Sequence, residues 1–174
     1  MAIDLSLTIT PDLLDLAARM AGSLHASEGG SYQDSENAVF YALTELWRRD
    51  RKKPGCVSDP RAWMWKAATR ELRRNLKKAR AEVTVDLLPD RDDDAETRPQ
   101  AVQLRKESTR RAQELVARLA EGERAAVALY HFAELSSGEI AETLQISEEA
   151  IRARLSRGHR RLKKILKEEG GTTP

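Results

Sequence analysis

Eight cations crowd residues 147–167: Arg152, Arg154, Arg157, Arg160, Arg161, Lys163, Lys164 and Lys167, interleaved with Ile151, Leu155, Leu162 and Leu166. The apolar set repeats near the helical period, so one face of a helix is buried and the others carry charge. Upstream, Ser136 and Glu139 have the S-x-x-E spacing of a capping box. They open a short helix with Ile140, Ala141 and Leu144 on its apolar face. Gln145-Ile146-Ser147 reads as a turn, with Ser147 as the next N-cap. A short helix, a tight turn and a longer basic helix form a helix-turn-helix. Its chemistry is insertion of the second helix into the major groove, where arginines reach base edges and phosphates. The plain alternative is a three-helix bundle with a solvated basic face. The capping box, the turn and the arginine placement together favour DNA binding.

A second basic block lies far upstream. Residues 48–80 hold thirteen basic and three acidic side chains, whereas 1–47 hold one basic and seven acidic. Residues 81–99 are acidic again, seven against two, so the small net charge of +2 conceals strong segregation. Two basic blocks separated by an acidic joint suit two contacts with one polyanion. Aromatics are only 5% of the chain and charged residues 33%, a balance that favours a helical nucleic-acid-type protein over a β-sandwich. No apolar run is long enough to span a membrane, and the start MAIDLSLTITPDLL has neither a basic n-region nor a long apolar core. With a single cysteine, Cys56, no internal disulfide can form. The expectation is a cytoplasmic protein with no membrane insertion.

The remaining elements are read from caps and periodicity. Thr10-Pro11 starts a helix with the stripe Leu13, Leu14, Leu16, Ala17, Met20 and Ala21, and Gly22–Gln33 is a loop by composition. A second helix spans Asp34–Arg49 and buries Val39, Leu43, Leu46 and Trp47. The basic stretch Arg48–Ser58 is broken at Pro54-Gly55. Asp59-Pro60 opens a long helix to about Arg80, with Trp63, Trp65, Ala68, Leu72 and Leu76 near one side. Val83–Pro99 reads as a flexible acidic tether. Helix resumes near Gln103, pauses at Glu121-Gly122-Glu123, and Arg124–Ala133 leads into the helix-turn-helix. The fold class is therefore all-α: two small helical domains, residues 1–80 and 103–174, joined by an acidic linker at 81–102.

The residues now resemble a known family. LAEGERAAVALYHFAELSSGEIAETLQISEEAIRARLSRGHRRLKKIL is similar to region 4 of bacterial sigma-70 family factors, specifically the extracytoplasmic-function (ECF) group. Its E-R-A, L-S-x-x-E-I-A-x-x-L, I-S and R-L-S-R-x-x-x-x-L elements carry that likeness. DSENAVFYALTELWRR followed by DPRAWMWKAATRELRRNLKKAR looks like region 2 of the same group. The resemblance implies core RNA polymerase and promoter DNA as partners, with an anti-sigma factor as a further partner of many members and a monomer as the free form. No Gly-rich phosphate loop, Ser/His/Asp set or Cys/His pair is apparent in the sequence, so no enzyme activity and no cofactor are expected. Recognition of the −35 element would fall to Arg152, Arg154, Ser156, Arg157 and Arg160. The melted −10 strand would meet Lys52, Lys53, Arg61, Lys66, Arg70, Arg73 and Arg74, a use suited to basic grooves with aromatic platforms. Polymerase would be met by Asp34, Glu36, Asn37, Phe40, Tyr41 and Trp47. Where the family commonly reads D-L-V-Q-E, this chain has Asn37-Ala38-Val39-Phe40-Tyr41, so two aromatics stand in place of a polar pair.

Other residues support blander readings. Trp63 and Trp65 suit core packing as well as base stacking. His25, His131 and His159 lack ligand spacing with one another or with Cys56, so no metal site is expected. His159 stands among arginines, near where a phosphate would lie. The carboxylates of Asp90–Glu96 read as a solvated spacer. Two other functions remain open at this stage. One is a helix-turn-helix regulator acting on duplex DNA without serving as a polymerase subunit. The other is an interaction protein that sequesters a regulator.

Overall fold

The computed structural model describes residues 11–82 and 100–170, and every regular element among them is an α-helix. The order is α1 Pro11–Glu28, α2 Tyr32–Lys52, α3 Pro60–Glu82, α4 Gln100–Ala117, α5 Glu121–His131, α6 Ser137–Leu144 and α7 Glu148–Gly170. The acidic tether at 83–99 and the Thr10 cap lie outside the described residues.

The expected loop at Gly22–Gln33 is mostly helix. α1 continues to Glu28 because its last two turns have a buried face of Ser23, Leu24, Ala26 and Ser27. Tertiary burial outweighs the loop-like composition there. Gly22 faces Phe132, and a Cβ at that position would lie 3.8 Å from the Phe132 Cβ, an ordinary contact. The chain reverses only at Gly29-Gly30, which take φ of 78° and 83°, a region open to glycine at little cost. Ser31 then caps α2 reciprocally with Asp34: Asp34 N–H donates to Ser31 Oγ at 3.0 Å and Ser31 N–H to Asp34 Oδ2 at 3.1 Å. α2 therefore begins before Asp34 and runs past Arg49 to Lys52.

The turn into α3 is built on Asp50, a nearly buried carboxylate that accepts from the Gly55 N–H at 3.0 Å. Asp59 caps α3 as expected, accepting from Ala62 N–H at 2.9 Å. Trp65, Ala68 and Leu72 are buried along α3, with Trp63 and Leu76 partly so. Two residues read as buried are not. Leu14 is 51% exposed, and Trp47 is 37% exposed with the Arg51 guanidinium 5.0 Å above its ring. Trp63 likewise carries Arg49 at 5.3 Å, an arrangement that stabilises a partly exposed ring.

In the C-terminal half, Glu121-Gly122-Glu123 is the first turn of α5 and not a joint before it. Its two carboxylates sit where the helix dipole favours negative charge.

α1 is the hub of the fold. It packs on α2 and α3 on one side and on α4 and α5 on the other, so the two halves share one apolar cluster. Ser23 Oγ crosses this seam to donate to the Ala128 carbonyl at 3.2 Å, and Arg19 Nη1 donates to the Ala133 carbonyl at 3.0 Å. No helix among the described residues is long and apolar enough to cross a membrane.

Candidate nucleic-acid interface

The helix-turn-helix forms as its sequence dictates. Ser136 Oγ accepts from Glu139 N–H at 3.3 Å, while Glu139 Oε2 accepts from Ser136 N–H at 2.9 Å. These bonds hold the Glu139 carboxyl below its usual range, with the Arg61 guanidinium adding to the effect. α6 ends on Gln145 in the left-handed region (φ 54°), and Ser147 Oγ caps α7 by accepting from Ala150 N–H at 3.2 Å. Ile140 and Ile151 are fully buried and lock α6 against α7. Leu166, expected in the core, is 48% exposed, and Ile165 is buried in its place. The true seam on α7 drifts by one residue over its length, as a 3.6-residue period requires of a straight helix.

The structure divides the five residues expected to recognise the −35 element. Arg152, Ser156 and Arg160 recur at four-residue steps on the outer face of α7, and all three are exposed. Arg152 is steadied by Glu148 one turn earlier at 2.6 Å. Arg154 and Arg157 instead flank α5. The Arg154 guanidinium lies over Gly122, within 3.3 Å of where a Cβ would sit. Arg157 Nε is 3.5 Å from Glu123 Oε1, and Arg161 Nη1 is 3.0 Å from Glu123 Oε2. Glu123 is only 8% exposed, so it aims two guanidinium groups of α7 along the edge of the helix-turn-helix. Nothing in the sequence marked Glu123 for this role, because its partners lie more than thirty residues away.

Gly158 is equally hidden in sequence. α5 and α7 cross so closely that a Cβ there would come within 2.6 Å of Val127 Cγ2. Gly158→Ala therefore sets a helix-propensity gain of about 1 kcal/mol against overpacking of about 1–3 kcal/mol. The expected result is a net loss of stability with weaker duplex binding, read by thermal melting and a DNA titration.

Beside this crossing, His131 and His159 face each other with Nε2 atoms 3.0 Å apart, and Tyr130 packs edge-on against both rings. One imidazole must donate and the other accept, so the pair is made by neutral rings or by a single shared extra proton. Burial, and then the neighbouring His159, lower the His131 pKa below its ordinary 6.5. Its unfolded counterpart takes up a proton first as pH falls through 6.5, so folding stability drops across that range and is unaffected above it. Burial depresses His25 in the same sense. The slope of melting temperature against pH between about 7 and 5 should therefore shrink, but not vanish, in His131→Gln. His159 is thus engaged with α5 and is not a free phosphate ligand.

In the N-terminal half, the residues expected to meet a single strand line α3 and the turn before it. Lys52, Lys53 and Arg70 are exposed, and Arg74 pairs with Glu71 at 2.6 Å. Arg61, Lys66 and Arg73 all reach across to the other half. Arg61 Nη1 lies 3.3 Å from Glu139 Oε1, Lys66 donates to Gln145 Oε1, and Arg73 bridges Glu28 at 2.6 Å and Glu121. Glu28 first, then Glu121, raise the Arg73 pKa above its ordinary value and keep it charged. Trp65 is buried at 5% exposure, so it serves the core more than a stacking platform.

The α2 face expected to meet polymerase carries Phe40, 70% exposed, and Tyr41, 43% exposed. Leu14 and Phe40 border a shallow groove between α1 and α2, with Val39 and Leu43 at its floor and Glu36 at its edge. Asp34 is engaged in the capping box, and Asn37 Oδ1 accepts from Gln33 at 3.3 Å. Glu36, Asn37, Phe40, Tyr41 and Trp47 are the exposed groups of the set. Among the described residues no cluster of His, Cys, Asp or Glu could hold a metal ion.

Comparisons with known proteins agree with this layout. Residues 109–162, which contain α5, α6 and most of α7, match the family Sigma-70, region 4. The fold is similar to that of the sigma factor RpoE from Bartonella quintana, solved in complex with the anti-sigma factor NepR. The TM-score is 0.54 at 21% identity, covering 89% of this chain and 93% of that one. No curated protein matches the chain. Residues 109–162 are thus similar in sequence to region 4 of sigma-70 factors and form a complete helix-turn-helix, and the fold of both halves is similar to that of a solved sigma factor.

Proposed function

We propose that this protein is an ECF-type sigma factor that binds core RNA polymerase and directs promoter recognition and transcription initiation. The observation that carries the reading is the pairing of two basic, exposed surfaces, the outer face of α7 and the basic face of α3, in a fold similar to that of a solved sigma factor. In this role α7 lies in the major groove of the −35 element. Arg152, Ser156 and Arg160 face the bases, and Arg157, aimed by Glu123, flanks the groove at the phosphates. Lys52, Lys53, Arg61, Lys66, Arg70, Arg73 and Arg74 hold the nontemplate strand of the melted −10 element. The exposed face of α2, with Phe40 and Tyr41 at its centre, docks on polymerase. Two modest DNA contacts on one chain raise each other's effective concentration and so supply specificity. An anti-sigma factor is a further partner, by likeness to the complex in which the similar fold was solved. The protein works in the cytoplasm, where polymerase is.

Core binding tests the docking face directly. Size-exclusion co-elution with core polymerase is expected for the intact chain and is expected to weaken at least about tenfold in Phe40→Glu. An aromatic that serves as a hot spot costs about 2 kcal/mol or more when it is removed from an interface. Co-elution unchanged by Phe40→Glu would move the docking surface elsewhere. Absence of co-elution, with duplex binding retained, would favour a regulator that acts without polymerase.

A further inference from the structure

We infer that Glu123 sets how selectively α7 binds a duplex: its carboxylate removes charge from the recognition helix, and this weakens non-specific attachment more than it weakens promoter binding. The inference rests on reading α7 as the duplex-binding helix and adds what determines its selectivity. The carboxylates that pair with cations of α7 differ in kind. Glu148 and Glu168 belong to α7 itself, are exposed, and pair one turn away with Arg152 and Lys164. Exposed pairs of this sort are worth about 0–1 kcal/mol and can part to admit a phosphate. Glu123 instead comes from α5 and is nearly buried. It faces two cations at once, Arg157 Nε at 3.5 Å and Arg161 Nη1 at 3.0 Å. Two guanidinium groups and one fixed carboxylate leave a single net positive charge on that flank.

The same contact gives the remaining charge a direction. A guanidinium carries its N–H donors in one rigid plane. Arg157 meets Glu123 through Nε and Arg161 through Nη1, so the other donors of each are left for a further acceptor, and both side chains are half-exposed. A phosphate that arrives where those donors point gains charge-assisted hydrogen bonds. A phosphate out of register meets only the reduced field, because the nearly buried carboxylate is held by α5 and does not move aside with α7. Non-specific binding is essentially electrostatic, whereas contacts that fix register depend on geometry. Glu123 therefore suppresses the first more than the second. Arg161, which the sequence did not assign to DNA, becomes the second phosphate contact of this flank beside Arg157.

The test compares the full chain with Glu123→Gln, which keeps an acceptor oxygen for Arg161 but removes the charge, and with Glu123→Asp, which keeps the charge. Should Glu123→Gln fail to fold, judged by helical circular dichroism, Glu123→Ala takes its place. The first probe is a poly(dA-dT) duplex. Glu123→Gln is expected to bind it at least about threefold tighter at low salt, and the plot of log affinity against log salt should steepen by up to about one. Adding Arg161→Ala to Glu123→Gln should return that slope to the wild-type value, and Glu123→Asp should leave it there. The second readout is core-dependent initiation on a genomic promoter library, where Glu123→Gln should start from more sites sharing a weaker upstream motif. An unchanged salt slope in Glu123→Gln, whether or not binding weakens, would mean a merely structural role and overturn the inference. A steeper slope with an unchanged set of start sites would overturn the role in selectivity. A wild-type chain that supports no core-dependent initiation would instead count against the sigma-factor reading, while the slope comparison still decides the effect of the Glu123 charge.

Discussion

Arg152→Ala combined with Arg160→Ala is expected to lower initiation from promoters that depend on the upstream element by at least about thirtyfold. Each base-reading or phosphate contact of this kind is worth about 1–3 kcal/mol, and the two sites lie two turns apart with no shared partner, so their effects should add. Both side chains are exposed on the outer face of α7, and neither belongs to the seam with α5 or α6. Folding should therefore be unaffected, as a melting curve would show. The salt dependence of duplex binding should also weaken by up to about two in slope if both arginines meet phosphates. Arg154→Ala is the internal control. Its guanidinium lies against Gly122 on the inner flank, so the expected change in initiation is under about threefold. An equal effect of Arg154→Ala and Arg152→Ala would contradict the assignment of the outer face. Charge reversal is the poorer test at Arg157, because a carboxylate there would oppose the nearly buried Glu123.

Leu24→Ala is expected to cost about 2–5 kcal/mol, the range for deleting a fully buried leucine side chain. Leu24 has no exposed surface, and its helix α1 touches α2, α3, α4 and α5. A cavity in such a hub should weaken both halves together. Denaturant unfolding should therefore remain a single transition with a lower midpoint, whether followed through the tryptophans of the N-terminal half or through total helicity. Two separated transitions, with only the first shifted, would contradict a shared core.

How much of this was legible depended on how local the signal was. The Ser136–Glu139 capping box, the Ser147 cap and the Asp59-Pro60 start are each written within four residues, and all form as read. The basic identity of α3 and α7 is likewise compositional and survives folding. The errors arose where a distant neighbour decides the outcome. GSLHASEGGSYQ looks like a loop until tertiary packing buries Ser23, which bonds to α5, and Leu24, and only Gly29-Gly30 actually turns. Leu14, Trp47 and Leu166 satisfy helical periodicity, but no element packs over them sufficiently to bury them. The split of the α7 arginines between an outer face and a flank was invisible, since Glu123 and Gly122 define the flank from another helix. The engagement of Arg61, Lys66 and Arg73 by α5 and α6 could not be read from any spacing, because it is a contact between halves.

The most direct measurement is in vitro transcription with core RNA polymerase on a genomic promoter library, with and without the protein. A sigma factor should produce new start sites that share two sequence motifs at a fixed spacing and are lost with Arg152→Ala and Arg160→Ala. Duplex binding by the protein with no polymerase-dependent start sites would contradict it.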